Sequence, residues 1–189
     1  IEVLHVPKKG HLMTTKVLDY FSALVADDDS IPLTETALSI AQDAYPDLDL
    51  QAELAAIDVL VARIKNRIAE GTPAIQRLRL LNQFFYRELG FGPNANDYYD
   101  PENSYLNAVL QSRRGIPISL AVLLMEIGQQ IGLPLKGVSF PNHFLVRMSI
   151  PAGEVVLDPL TGQTLSKEEW QDMLDPYLEK EGIDDPHSV

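Results

Sequence analysis

Apolar residues recur at helical spacing through the first half of the chain and at alternate positions through much of the second. In "LQAELAAIDVLVARIKNRIAEG", Leu54, Ile57, Val61, Ile64 and Ile68 follow one another at steps of three and four, which draws a single stripe down one side of a helix. Thr72 and Pro73 have the character of a cap and first-turn pair. They predict a helix through Leu78, Leu81, Phe85 and Leu89 that stops at Gly90. Shorter helices are expected near 15–26 and 33–45, the second ending before Pro46.

The stretch "GFGPNANDYYDPEN" is rich in Gly, Asn, Asp and Pro and reads as a loop. Asp100 and Pro101 then open a short helix that Gly115 closes as its C′ residue. Next comes "GIPISLAVLLMEIG", which predicts a helix from about Leu120 to Ile131, apolar on nearly every side. Such a helix belongs at the centre of a fold. Beyond Pro134 the period falls to two. "LKGVSF", "HFLVRMSI" and "EVVLDP" read as strands of an antiparallel hairpin with its turn at Pro151, Ala152 and Gly153. Ser166 and Glu169 form a capping box for a last helix to about Lys180. The expected class is α+β, with a helical region over 13–90, a mixed core over 91–181 and a flexible tail over 182–189. Met13 is a candidate start, in which case residues 1–12 read as a leader or as an added segment.

At 189 residues the chain can bury a sizeable core. Its formal charge of -12, from 27 acidic and 15 basic residues, disfavours nucleic acid and anionic membrane as partners. No apolar run is long enough to span a bilayer and no secretory signal is evident, so a cytoplasmic location is expected. Cysteine is absent. That removes disulfides, thiolate metal sites and cysteine nucleophiles together.

Of four histidines, only His143 falls inside ordered structure; it opens one strand, and Asp158 closes the next. A tight hairpin would bring the two within a few residues of register, where a carboxylate can fix the imidazole tautomer. Ser119 stands at the mouth of the apolar helix, where free N–H groups favour negative charge. Hydroxyl, imidazole and carboxylate in that placement are the parts of an acyl-transfer site. Each also has a plainer reading: Ser119 as a helix cap, His143 as a partly buried histidine bonded to a carbonyl, Asp158 as the first residue of an Asp-Pro turn. Asn142 could offer an amide to an oxyanion. Asn103 and Asn107, four apart, would share one helix face and tie it to the Ser119 loop. Arg114, with Arg113, could clamp a carboxylate or phosphate or simply end a helix. No metal is expected, because H-E-x-x-H, cysteine pairs and calcium-loop spacing are all missing. No cofactor is expected either, as neither G-x-G-x-x-G nor a phosphate loop occurs.

The blocks RRGIPISL, GLPLKGVSFPNHFLVR and LDPLTG, within Asn103 to Leu165, resemble the SirB-type branch of the transglutaminase-like superfamily. The resemblance implies a papain-like core in which a buried helix packs on a small antiparallel sheet and a Cys-His-Asp triad bridges them. His143 and Asp158 fall on the histidine and aspartate. Ser119 falls on the cysteine. Longer members resemble proteins with a carboxy-terminal tetratricopeptide-like extension. Two functions follow as expectations. The first is a non-thiol binding or regulatory protein with a protein or peptide partner; the second is a serine hydrolase or acyl transferase in which His143 draws the proton from Ser119 and Asp158 orients His143.

Overall fold

In a computed structural model the described residues are 15–27, 30–140, 143–166, 168–170 and 172–173. The expected leader, the carboxy-terminal tail, Asn142, and the remainder of the last helix lie outside them. The capping box itself is present: the Ser166 N–H donates to Glu169 Oε2 at 2.7 Å, and the Glu169 N–H to Ser166 Oγ at 3.2 Å.

The helices are α1 (Thr15–Leu24), α2 (Leu33–Ala41), α3 (Leu50–Lys65), α4 (Ala74–Asn82), α5 (Leu106–Ser112) and α6 (Pro117–Gln130). Strands β3 (Leu135–Phe140), β4 (His143–Ile150), β5 (Gly153–Leu157) and β6 (Thr164–Leu165) form an antiparallel sheet in sequence order. Two short strands, β1 (Gly92–Pro93) and β2 (Arg114–Gly115), pair in parallel. The protein is thus α+β, with a helical first half and a small antiparallel sheet.

The apolar helix is central. Leu120, Leu123, Leu124 and Ile127 of α6 are fully buried, each worth about 1.5–3 kcal/mol of transfer free energy. One side of α6 packs on β3 and β4, and the others meet α2, α3, α4 and α5. The predicted α3 stripe faces this core through Ile57, Val61 and Ile64, with Leu54 and Ile68 at its margin. In β4 alternation sends Val146 and Met148 into the core and leaves His143 and Arg147 exposed.

Several boundaries differ from expectation for local reasons. Pro117, which needs no N–H partner, starts α6 three residues early, with Ile116 as N-cap. Thr72 does not cap α4; its hydroxyl closes the turn behind α3 on the Ala69 carbonyl at 2.6 Å. Arg113, not Gly115, takes the left-handed position after α5, with φ of 63°. Gly115 is drawn into β2 instead. The fourth helix changes type at Gln83, where a π-helix runs to Glu88 and the Leu89 N–H reaches the Phe84 carbonyl at 2.9 Å. The wider turn buries Phe84 and Phe85 and lets Tyr86 reach the turn that follows β5.

Candidate functional site

The site is assembled around the start of α6. Pairing of Gly92 with Arg114 and Pro93 with Gly115 brings the 94–104 loop beside it. The Arg114 guanidinium reinforces that contact by donating to the Gly90 carbonyl at 2.6 Å, so it serves as a loop tie. Its neighbour Arg113 lies 4.7 Å over the Phe91 ring.

Asn103 organises the loop. Its side-chain amide donates to the carbonyls of Asp97 at 2.8 Å and Tyr98 at 3.1 Å, and its Oδ1 accepts from Asn94 Nδ2 at 3.2 Å. Its own carbonyl accepts the Ser119 hydroxyl at 2.7 Å and the Ile116 N–H at 3.3 Å. Asn103 does tie to the Ser119 loop, but through its backbone. Asn107 does not share its face: Asn103 ends a 3-10 turn (Pro101–Asn103), Tyr105 is extended, and Asn107 belongs to α5. Asn107 Oδ1 is buried without a hydrogen-bond partner among the described residues.

Ser119 is the third residue of α6 and 5% exposed. Besides donating to Asn103, its oxygen accepts the Ile116 N–H at 3.1 Å. The hydroxyl therefore closes the helix start from position N3, instead of capping it from outside. Gly115 makes room, since a Cβ there would lie 2.7 Å from Ser119 Oγ.

Asp158 is occupied elsewhere. Its Oδ1 accepts the Leu160 N–H at 2.8 Å and its Oδ2 the Thr161 hydroxyl at 2.9 Å. The backbone closes the same turn, with Asp158 N–H on the Gln163 carbonyl and Gly162 N–H on the Asp158 carbonyl. Tyr86 donates to the Pro159 carbonyl at 2.9 Å and Asn82 Nδ2 to that of Gly162 at 2.5 Å, which latches the turn to the fourth helix. Burial, and then the Asp158 charge, push the Tyr86 phenol well above its ordinary value.

Among the described residues no hydrogen bond joins His143 to either Ser119 or Asp158. The register contributes: Ile150 pairs with Gly153 and Val146 with Leu157, so one step further Asp158 comes level with Leu145 and not with His143. His143 instead borders an open groove of about 480 Å³ with Tyr98, Tyr99, Asp100, Ile116, Pro117, Ile118 and Phe144. Tyr99 is 91% exposed, and Tyr98 and Ile118 are nearly half exposed. A second cavity of similar size lies at the opposite end of α6, between Lys65, Gly71, Arg77 and Gln130, and is lined by none of the candidate site residues. Among the described residues no cluster of His, Asp and Glu could hold a metal ion. Nor is any described helix long and apolar enough to cross a membrane.

The groove walls Tyr98, Tyr99 and Ile118 escaped the sequence reading, as did the latch residues Asn82 and Tyr86. The tandem tyrosines inside an Asn- and Asp-rich loop were the available signal, because aromatic rings in such a loop have no core to enter.

A buried helix packed on a small antiparallel sheet is consistent with a known family. The transglutaminase-like superfamily profile covers residues 51–187, and the chain belongs to that superfamily. It is 41% identical over 165 residues to a UPF0162 protein of Xylella fastidiosa, covering 87% of this chain and 59% of that protein. A UPF0162 protein of Vibrio cholerae is 32% identical over 143 residues, covering 75% of this chain and 53% of its own length. Human F-box only protein 21 is 33% identical over 171 residues, covering 78% of this chain and 27% of its own. The chain thus spans little more than half the length of the bacterial relatives. No solved structure matches it.

Proposed function

We propose that this chain is a non-thiol binding member of the superfamily, which engages a protein or peptide segment in the groove between the Tyr98–Asp100 loop, the start of α6 and His143. The observation that carries this reading is the state of Ser119. Its hydroxyl is buried and already committed to the Asn103 carbonyl and the Ile116 N–H, whereas a nucleophile has to be free to pass its proton to a base. The Asp158 carboxylate is likewise engaged within its own turn. The groove, by contrast, offers exposed aromatic and aliphatic side chains on a well-tied loop, the kind of surface that marks interaction sites. A cytoplasmic, regulatory setting fits such an activity.

Two measurements test it. A serine-directed fluorophosphonate is expected to leave the folded protein unlabelled. Labelling that disappears in Ser119→Ala would instead establish the serine hydrolase or acyl transferase. Selection from a peptide library is expected to yield ligands that lose affinity in Tyr99→Ala and Ile118→Glu; ligands indifferent to both would refute the groove as the binding site.

A further inference from the structure

We propose that the groove recognises an arginine side chain of its partner, stacked on the Tyr98–Tyr99 corner and paired with the Asp100 carboxylate; this rests on the reading of the groove as a binding site. The two rings stand 5.5 Å apart between centroids at 89°, forming two walls of a corner. Tyr99 is 91% exposed and Tyr98 is 43% exposed. The Tyr99 ring in particular stands open to a ligand.

Asp100 follows directly and borders the same groove. One of its oxygens, Oδ1, accepts the Glu102 N–H at 3.0 Å; the other has no hydrogen bond among the described residues. A ring face beside a carboxylate suits a flat cation, because a guanidinium can stack on the ring while its in-plane N–H groups reach the carboxylate. An ammonium, being compact and strongly hydrated, satisfies the two demands less well. The protein already uses the first half of this chemistry internally, with Arg113 at 4.7 Å over the Phe91 ring.

Charge complementarity points the same way. The chain carries a formal charge of -12, so a cationic segment is drawn toward it and an acidic one repelled. Ile118, 49% exposed at the helix start, offers an apolar seat for a residue beside the arginine. The inferred ligand is a segment with one arginine flanked by aliphatic side chains.

The structure makes the loop stiff enough for such recognition. Asn103 holds the Asp97 and Tyr98 carbonyls, and Ser119 holds Asn103. A corner fixed before the ligand arrives loses less freedom on binding.

The test is a set of amide chemical-shift titrations of the full chain with three blocked tripeptides: leucine-arginine-leucine, its lysine counterpart and its citrulline counterpart. Citrulline keeps the planar shape and removes the charge. The arginine peptide is expected to move the signals of Tyr98, Tyr99, Asp100 and Ile118, and to bind about fivefold more tightly than the citrulline peptide. Asp100→Asn, which retains the acceptor for Glu102, is expected to remove that preference while the spectrum stays dispersed. Raising salt to about 0.5 M is expected to reduce it too. Citrulline binding as tightly as arginine, with the groove signals still moving, would overturn arginine recognition and leave the groove reading standing. A lysine peptide binding more tightly than the arginine peptide would overturn it as well. If no peptide moves the groove signals of the folded chain, both this inference and the groove reading fall.

Discussion

Ser119 Oγ lies 2.7 Å from the carbonyl oxygen of Asn103 and donates to it, although the two residues are sixteen positions apart. Through that bond the start of the central helix grips the loop that forms the groove wall. The Asn103 amide passes the restraint on to Asp97 and Tyr98. At the mouth of the apolar helix the serine hydroxyl is a tether.

Ser119→Ala should therefore act on stability and on loop order together. It leaves the Ile116 N–H without its side-chain acceptor and the buried Asn103 carbonyl without its strongest donor, a loss of about 1–3 kcal/mol. Urea unfolding followed by circular dichroism should register it. Faster amide exchange confined to the 94–104 loop should accompany it. An unchanged midpoint would show that the bond contributes nothing.

Ser119→Cys places a single thiol in a chain that has none, so alkylation reports on that position alone. With Ser119 5% exposed and Gly115 packed against its oxygen, the new thiol should react with iodoacetamide at least about tenfold more slowly than one introduced at exposed Ile118, because burial keeps the reagent from the sulfur. A fast reaction at 119 would mean that the helix start opens readily, and would revive nucleophilic chemistry there.

Gly162 has φ of +71°, and a Cβ on it would run into Asn82 and the Tyr86 ring. Gly162→Ala thus combines a left-handed backbone with a steric clash against two latch residues. The expected cost is about 2–4 kcal/mol. Thermal unfolding of this variant beside Gly90→Ala, where φ is +74° and a Cβ would meet nothing within 4 Å, separates the clash from the backbone effect.

Alkaline titration should expose the latch from a different side. Burial, followed by the Asp158 charge, raises the Tyr86 phenol in the folded state. Above an unfolded-state value of about 10 the unfolded chain loses its proton first, so the stability this group supplies is present at lower pH and declines as pH rises past that point. Tyr45 behaves alike, raised to about 12 by burial and by its hydrogen bond to Glu102. Comparing urea midpoints of the wild type and Tyr86→Phe at about pH 9 and about pH 11 should show a smaller fall in the variant. Equal falls would place the phenol outside any pH-sensitive role.

Much of the scaffold could be read from residue order, because it depends on strong periodic signals. The α3 stripe, the all-round apolar α6 and the period-two strands each leave one arrangement that buries their apolar atoms. The site was less legible. Ser119 falls in the first turn of α6, His143 at the head of β4 and Asp158 one residue past β5, but the direction of each side chain depends on details that periodicity does not carry. Pro117 moved the helix start, so Ser119 became an inward-facing third residue and not an outward-facing cap. A two-residue turn set the hairpin register, and the residues after Asp158 supplied its carboxylate with nearer donors than an imidazole across the sheet. Asn103 and Asn107 satisfied the spacing for one helix face until extended Tyr105 broke the rotation between them. In each case a bond within a few residues overrode a longer-range pattern.

The enclosure of α6 governs how this protein could be divided. Its flanks are shared between the sheet and four earlier helices, and Thr34 of α2 donates to Glu126 at 2.8 Å across a sequence gap of 92. A fragment beginning after Gly90 would lose α2, α3 and α4, and with them part of the apolar cover of α6. Such a piece would be expected to clump and not to fold, so mutational or domain-swapping work must keep α2, α3 and α4 together with α6 and the sheet.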